Sequence, residues 1–235
     1  MISIITGTLN RVGMIPNLIT NTVLSDERLE LVLVDGGSVD GTIDYIKQLN
    51  HPRIKLIEVG GRSSYPHFMN LAITESTHDI VCQWNDDVLL VNDWSEVIDE
   101  IEPDYDFYLF NWKYGSYGDI TNPDWLRGLD HTDGWCLCNV AATGGEIVMN
   151  YGLYRKKIFR EIGMYNPEYQ YYYADGDMAH RAYHFGYKVK DLRNVKVCSL
   201  PVSKVATPYP QDKQIYERNI SLHLKKILPE GLQYL

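Results

Sequence analysis

Four short polar clusters hold the residue types that bind charge or move protons. Thr6-Gly7-Thr8-Leu9-Asn10-Arg11, Asp35-Gly36-Gly37-Ser38-Val39-Asp40-Gly41-Thr42 and Asn85-Asp86-Asp87 each close an apolar run, and Asp175-Gly176-Asp177 opens a stretch with helical spacing. Adjacent carboxylates at the end of a run as apolar as IVCQW repel each other unless a cation compensates them, so Asp86-Asp87 points to a divalent ion, with a solvated turn as the competing reading. Asp35-Gly36-Gly37-Ser38 suits a polar ligand. It suits equally a βα turn that caps the next helix, since Asp and Ser satisfy free amides and Gly supplies positive φ. The plain reading of Asp175 is a helix N-terminal acid favoured by the macrodipole.

The elements that must position these clusters follow from hydrophobic periodicity. ISIITG, LELVLVDG, RIKLIEVG and HDIVCQW read as strands buried on both faces, and helical periods run over Pro16 to Leu24, Gly41 to Leu49 and Tyr65 to Glu75. That alternation predicts an α/β fold with a mostly parallel, Rossmann-like central sheet and helices on both faces. Ligands of such sheets bind beyond the carboxyl ends of the strands, where three of the clusters lie. After Val88 the pattern predicts a short helix from Asp93 to Ile101, a strand DFYLFNW and a long loop from Lys113 to Thr143 rich in Gly, Asp, Trp and Tyr. From Pro201 a C-terminal arm carries one amphipathic helix around Ile215 to Leu228.

Composition narrows the function classes. The chain has 235 residues, 45% hydrophobic and 23% charged, the profile of one globular domain with a substantial core. Its 31 acidic against 22 basic residues give a net charge of −9 with no Lys/Arg block, which argues against a nucleic-acid partner. No apolar stretch is long enough for a membrane helix and MISIITGTLN lacks a signal-peptide plan, so a cytoplasmic protein without a transmembrane segment is expected. Cys82, Cys136, Cys138 and Cys198 read as reduced thiols, and Cys136-x-Cys138, lacking a second pair, is not a zinc site. His67, His131 and His184 receive no role. Eighteen tyrosines are the compositional oddity.

Four blocks in order over residues 1 to 190 resemble glycosyltransferase family two. ISIITGTLNR is similar to the family's opening "S-I-I-x-x-T-Y-N-R", and VDGGSVDGT to its "V-D-D-G-S-x-D-G-T". GGRSSYPHFMNLAITESTHDIVCQWNDDVLL resembles the loop, helix and acidic strand end that follow, and MNYGLYRKKIFREIGMYNPEY with YADGDMAHRAYHFGYKV resembles the late acidic block and its lead-in.

The resemblance implies a GT-A fold, a UDP- or GDP-linked nucleoside diphosphate sugar, Mn²⁺ or Mg²⁺, and a carbohydrate or glycoprotein acceptor. It implies a hexosyltransferase of one domain, with a nucleotide-binding half at 1–90, an acceptor-side half at 91–200 and the arm at 201–235. Thr8 and Asp35 fall where the family holds base and ribose. Thr6, Asn10, Arg11, Gly37, Arg62, Asn70 and Asn85 join them on the donor, with Asp86 at ribose and diphosphate and Asp87 as metal ligand. Asp175 falls on the family's general base, with Asp177 and Arg181 organising the helix start; one base opposite the leaving group implies inversion. Trp112, Trp135 and Tyr172 are acceptor candidates, since flat rings stack on sugar faces; Trp125, Tyr171 and Tyr173 share that reading. The chain departs from the family pattern at Gly36, Ala174 and Cys198-Ser199, where relatives carry an Asp, a Glu and sometimes a His. Two competing readings are a nucleotidyltransferase, which usually needs a more basic Gly-rich loop than GTLNRVG, and a non-catalytic carbohydrate- or nucleotide-binding protein of the same fold.

Overall fold

The computed structural model describes residues 1–126, 151–200, 209–230 and 232. Trp135, His131, Cys136 and Cys138 lie outside them. In chain order the first half is β1 (Ile2–Thr8), α1 (Ile15–Asn21), β2 (Leu29–Asp35), α2 (Thr42–Leu49), β3 (Ile54–Glu58), α3 (Tyr65–Glu75) and β4 (Ile80–Gln83). Then come β5 (Val88–Leu90), α4 (Trp94–Asp99), β6 (Phe107–Tyr114), α5 (Pro123–Leu126), β7 (Gly152–Arg155), α6 (Lys156–Ile162), α7 (Ala174–His184), β8 (Val189–Ser199) and α8 (Pro210–Leu224). Among the described residues no helix is long and apolar enough to cross a membrane.

The strands form one sheet in the order β3-β2-β1-β4-β7-β6-β8-β5. β1 pairs in parallel with β2 and β4, and β2 with β3, so the expected parallel half is present. β6 and β8 are also parallel, while β7 runs against both its neighbours and β5 against β8. β1 and β2 are buried along almost their whole length, but β3 is partly exposed at every position, correcting the expectation that RIKLIEVG is covered on both faces. It is an edge strand, and its Glu58 meets Lys47 at 2.7 Å.

Helix α3 has the expected bounds because Ser64 accepts the His67 N–H at 3.3 Å and Pro66 fits its first turn. The C-terminal helix starts at Pro210, ahead of the expected Ile215, and its packing face carries buried Asp212, Asn219 and His223. A period of apolar residues therefore misplaces its start. Beneath the site, fully buried Trp84 packs against Trp94 at 5.4 Å and Tyr151 at 5.7 Å, so much of the aromatic excess is core.

Candidate active site

Two loops at the carboxyl end of the parallel strands are laced together. Asn10, in the left-handed region at φ 54°, donates its N–H to Ser38 Oγ at 2.8 Å and accepts the Val39 N–H at 2.9 Å. Arg11 N–H donates to Thr42 Oγ1 at 3.0 Å and Val12 N–H to Asp40 Oδ2 at 3.0 Å. Asp35 is fully buried and holds the second loop: Oδ1 accepts the N–H groups of Gly37 and Ser38 at 2.8 and 2.7 Å, and Oδ2 the Ser38 hydroxyl at 2.6 Å. Gly37 has φ +92°, and a Cβ there would stand 3.1 Å from the Gly60 backbone. Side chains in β geometry cannot replace it.

The departure at Gly36 has a packing reason. A Cβ there would sit 3.2 Å from Phe68 Cζ, whose ring also covers Gly7. Gly36→Asp is expected to cost about 1–3 kcal/mol of stability by overpacking. Urea unfolding should show that penalty shrinking in a Phe68→Ala background, and an equal penalty in both backgrounds would rule out Phe68 as the cause.

The acidic pair sits beside the first loop. Thr8 Oγ1 donates to Asp86 Oδ2 at 2.8 Å, and Arg11 Nε lies 3.7 Å from the same oxygen. Burial and the neighbouring Asp87 charge push Asp86 up to about 7 against the pull of Thr8 and Arg11. Burial also raises Asp87, which Arg11 draws down. Two desolvated carboxylates with one nearby cation are under-compensated. Among the described residues no group of three His, Cys, Asp or Glu side chains is placed to hold a metal alone. Cys198 is buried, with a thiol pushed up to about 11 by burial. The donor set thus fits a Mg²⁺-type ion that takes one or two carboxylates and completes its shell with phosphate oxygens and water.

Asp175 stands in the first turn of α7, after Tyr173 in the left-handed conformation at φ 65°. A non-glycine residue held there is strained, a feature that concentrates at functional sites. Burial pushes the Asp175 carboxyl up to about 7, while the Gly176 N–H and its own hold it down. Its charge acts on the phenols of Tyr65, Tyr165 and Tyr151. Tyr151 also feels the Asp87 charge, and burial with these charges raises its phenol. Ala174 is fully buried, leaving no solvated place for a Glu side chain at this position.

The sequence matches the model described as "Glycosyl transferase family 2" over residues 3–163. The chain belongs to glycosyl transferase family 2. No curated protein matches it by sequence. In fold it is similar to S. aureus TarS 1-349 solved with UDP, at TM-score 0.68 and 16% identity, over 99% of this chain and 68% of that one. TarS with UDP-GlcNAc gives TM-score 0.67 and 16% identity over 99% of this chain and 68% of that chain. The mannosyltransferase PcManGT of Pyrobaculum calidifontis, solved with GDP-Man and Mn²⁺, gives 0.64 and 17% identity, and this chain spans 96% of itself but 62% of that protein.

Within this family 2 chain the remaining expected residues separate. Thr6 is fully buried in β1, its hydroxyl turned to the Gly7 carbonyl at 3.1 Å. Asn70 has both amide ends on the Tyr165 backbone, each at 2.9 Å, which makes it a clamp between α3 and the later segment. Arg62 Nε donates to Tyr171 Oη at 2.6 Å, joining the loop after β3 to the tyrosine run. Asn85 Nδ2 reaches Tyr151 Oη at 3.5 Å. Trp112 is buried, edge-on to Tyr114 and Tyr151, so it offers no open ring face, whereas Tyr172 is 43% exposed. Trp125 packs against Gly115, under the Lys113 ammonium at 4.0 Å from its ring. Asp177 is buried among His223 at 2.9 Å, Tyr169 at 3.1 Å and Asn219 at 3.2 Å, so it joins α7 to α8 and to Tyr169. Sequence reasoning missed Tyr65, Tyr151, Tyr165 and Gln83, which accepts the Tyr165 hydroxyl beneath the site.

Proposed function

We propose that the chain is a metal-dependent hexosyltransferase that takes sugar from a UDP- or GDP-linked donor and passes it, with inversion, to a hydroxyl of a carbohydrate or glycoprotein. The observation that carries this reading is the adjacent acidic pair Asp86-Asp87 at the carboxyl end of the parallel strands, with Thr8 at 2.8 Å and Arg11 at 3.7 Å from Asp86. The solved complexes of TarS with UDP-GlcNAc and of PcManGT with GDP-Man support the choice of donor class.

Asp87, with Asp86 beside it, would hold Mn²⁺ or Mg²⁺, which supplies positive charge to the departing diphosphate. Thr8, Asn10, Arg11, Asp35 and Gly37 shape the rim for base and ribose, and Asp35 acts there chiefly by fixing the turn. As the acceptor oxygen bonds to the anomeric carbon, the bond from that carbon to the diphosphate oxygen breaks. The hydroxyl proton passes to the Asp175 carboxylate and the electron pair leaves with the nucleoside diphosphate. Exposed Tyr172 and its neighbours give the acceptor aromatic faces to stack on.

The test is a panel of UDP- and GDP-sugars with Mn²⁺, read as nucleoside diphosphate release. Release supports transfer; pyrophosphate formation from a nucleoside triphosphate and sugar phosphate would favour a nucleotidyltransferase. Binding without turnover would favour a non-catalytic protein.

A further inference from the structure

Helix α8 lies beyond the segment matched to the family model, yet it reaches the catalytic face through one buried side chain. Asp212, 1% exposed in the first turn of α8, accepts three successive backbone amides: Gln170 at 2.9 Å, Tyr171 at 2.8 Å and Tyr172 at 2.9 Å. Consecutive N–H groups converging on one anion form a nest, and charge-assisted bonds of this kind are the stronger class. The carbonyl of Gln170 accepts the Tyr65 N–H at 2.8 Å, so the same segment is tied to the first turn of α3. Rings complete the hold, with Tyr209 at 5.0 Å from Tyr171 and Tyr216 stacked 5.1 Å from Tyr173. Immediately downstream, Tyr173 takes its left-handed conformation and Asp175 enters the site.

We propose that Asp212 is a positioning residue for Asp175: by gripping residues 170–172 it sets the strained turn at Tyr173 and with it the placement of the base. The claim rests on the transferase reading for its consequence in turnover, but not for its consequence in geometry. An amide at position 212 loses the charge and turns an N–H toward an N–H, so the segment loosens while the nucleotide rim is untouched. Small displacements of a positioned catalytic group are costly in rate.

The experiment compares the wild-type chain with Asp212→Asn, Asp212→Glu and His223→Ala, the last weakening the α7–α8 contact without touching residues 170–172. In Asp212→Asn, amide exchange at Gln170, Tyr171 and Tyr172 should quicken at least about tenfold. The Asp175 carboxyl, followed by ¹³C NMR, should titrate below its wild-type midpoint as water reaches it. Against UDP-GlcNAc and GDP-mannose with Mn²⁺, kcat should fall about 10–100-fold with donor affinity within about twofold. Asp212→Glu should lie between the two, and it carries the test if the Asn variant does not fold. His223→Ala should lose stability but keep both the Asp175 midpoint and, per folded molecule, the turnover. An unchanged Asp175 midpoint despite faster exchange, or an equal loss in His223→Ala, would overturn the proposal. If the wild-type chain turns over no nucleotide sugar, the transferase reading fails and the titration alone decides the positioning claim.

Discussion

Asp175→Asn should lower turnover by about 10²–10⁴-fold while donor affinity barely moves, because a general base acts only as the acceptor proton leaves. The same change should stabilise the protein at alkaline pH. Burial raises the folded-state carboxyl from the ordinary 3.8 to about 7. Between those values the folded chain binds a proton that the unfolded chain has released, so stability falls as pH rises toward 7 and stays lowered above it. Asn carries no charge to bury. The variant's melting temperature should therefore exceed the wild type's at pH 8 and converge with it near pH 4, the difference bounded at about 4 kcal/mol. Wild-type kcat should climb through about pH 7 as the base ionises. Near-normal turnover in the variant, or a product that keeps the donor's anomeric configuration by NMR, would sink the assignment.

The second large effect is expected at Asp87. Asp87→Ala should abolish the Mn²⁺-dependent part of UDP and GDP binding in calorimetry while leaving the fold intact. The fold is safe because the hydrogen bond that anchors this residue uses its backbone: the Leu200 N–H donates to the Asp87 carbonyl at 2.8 Å. Removing one of two adjacent half-buried carboxylates also removes the charge that, after desolvation, helps raise Asp86. Unchanged nucleotide affinity with the metal present would take Asp87 out of the site.

The parallel half was legible because β1, β2 and β4 are central strands, and burial on both faces writes an apolar run into the sequence. β3 was legible as a strand but not as an edge, since IKLIE is nearly as apolar. β7 and β8 are joined to the sheet by pairings between residues far apart in sequence, such as Cys82 with Leu153 and Trp112 with Val197, and nothing local announces them. The acids stood out because carboxylates at strand and helix ends are few. Tyr151, one of eighteen tyrosines, had no such distinction. Asp212 was invisible for another reason: its partners are backbone amides, and a backbone amide has no letter.

The acidic pair leads into β5, the strand at the far edge of the sheet from β3, where Val88 pairs with Ser199 and the Asp87 carbonyl takes the Leu200 amide. The residues proposed for the nucleotide rim and the cation all precede residue 90, yet β5, which follows them directly, pairs in the sheet with β8, more than a hundred residues later. Such long-range closure is slow to form and comes late in assembly. During synthesis, the parallel strands can form before β8 has emerged and docked on β5, the strand that follows Asp86-Asp87. An N-terminal fragment ending before β8 would keep the motifs of the nucleotide half and leave β5 without its strand partner, so the proposed cation site depends on chain beyond the last of those motifs.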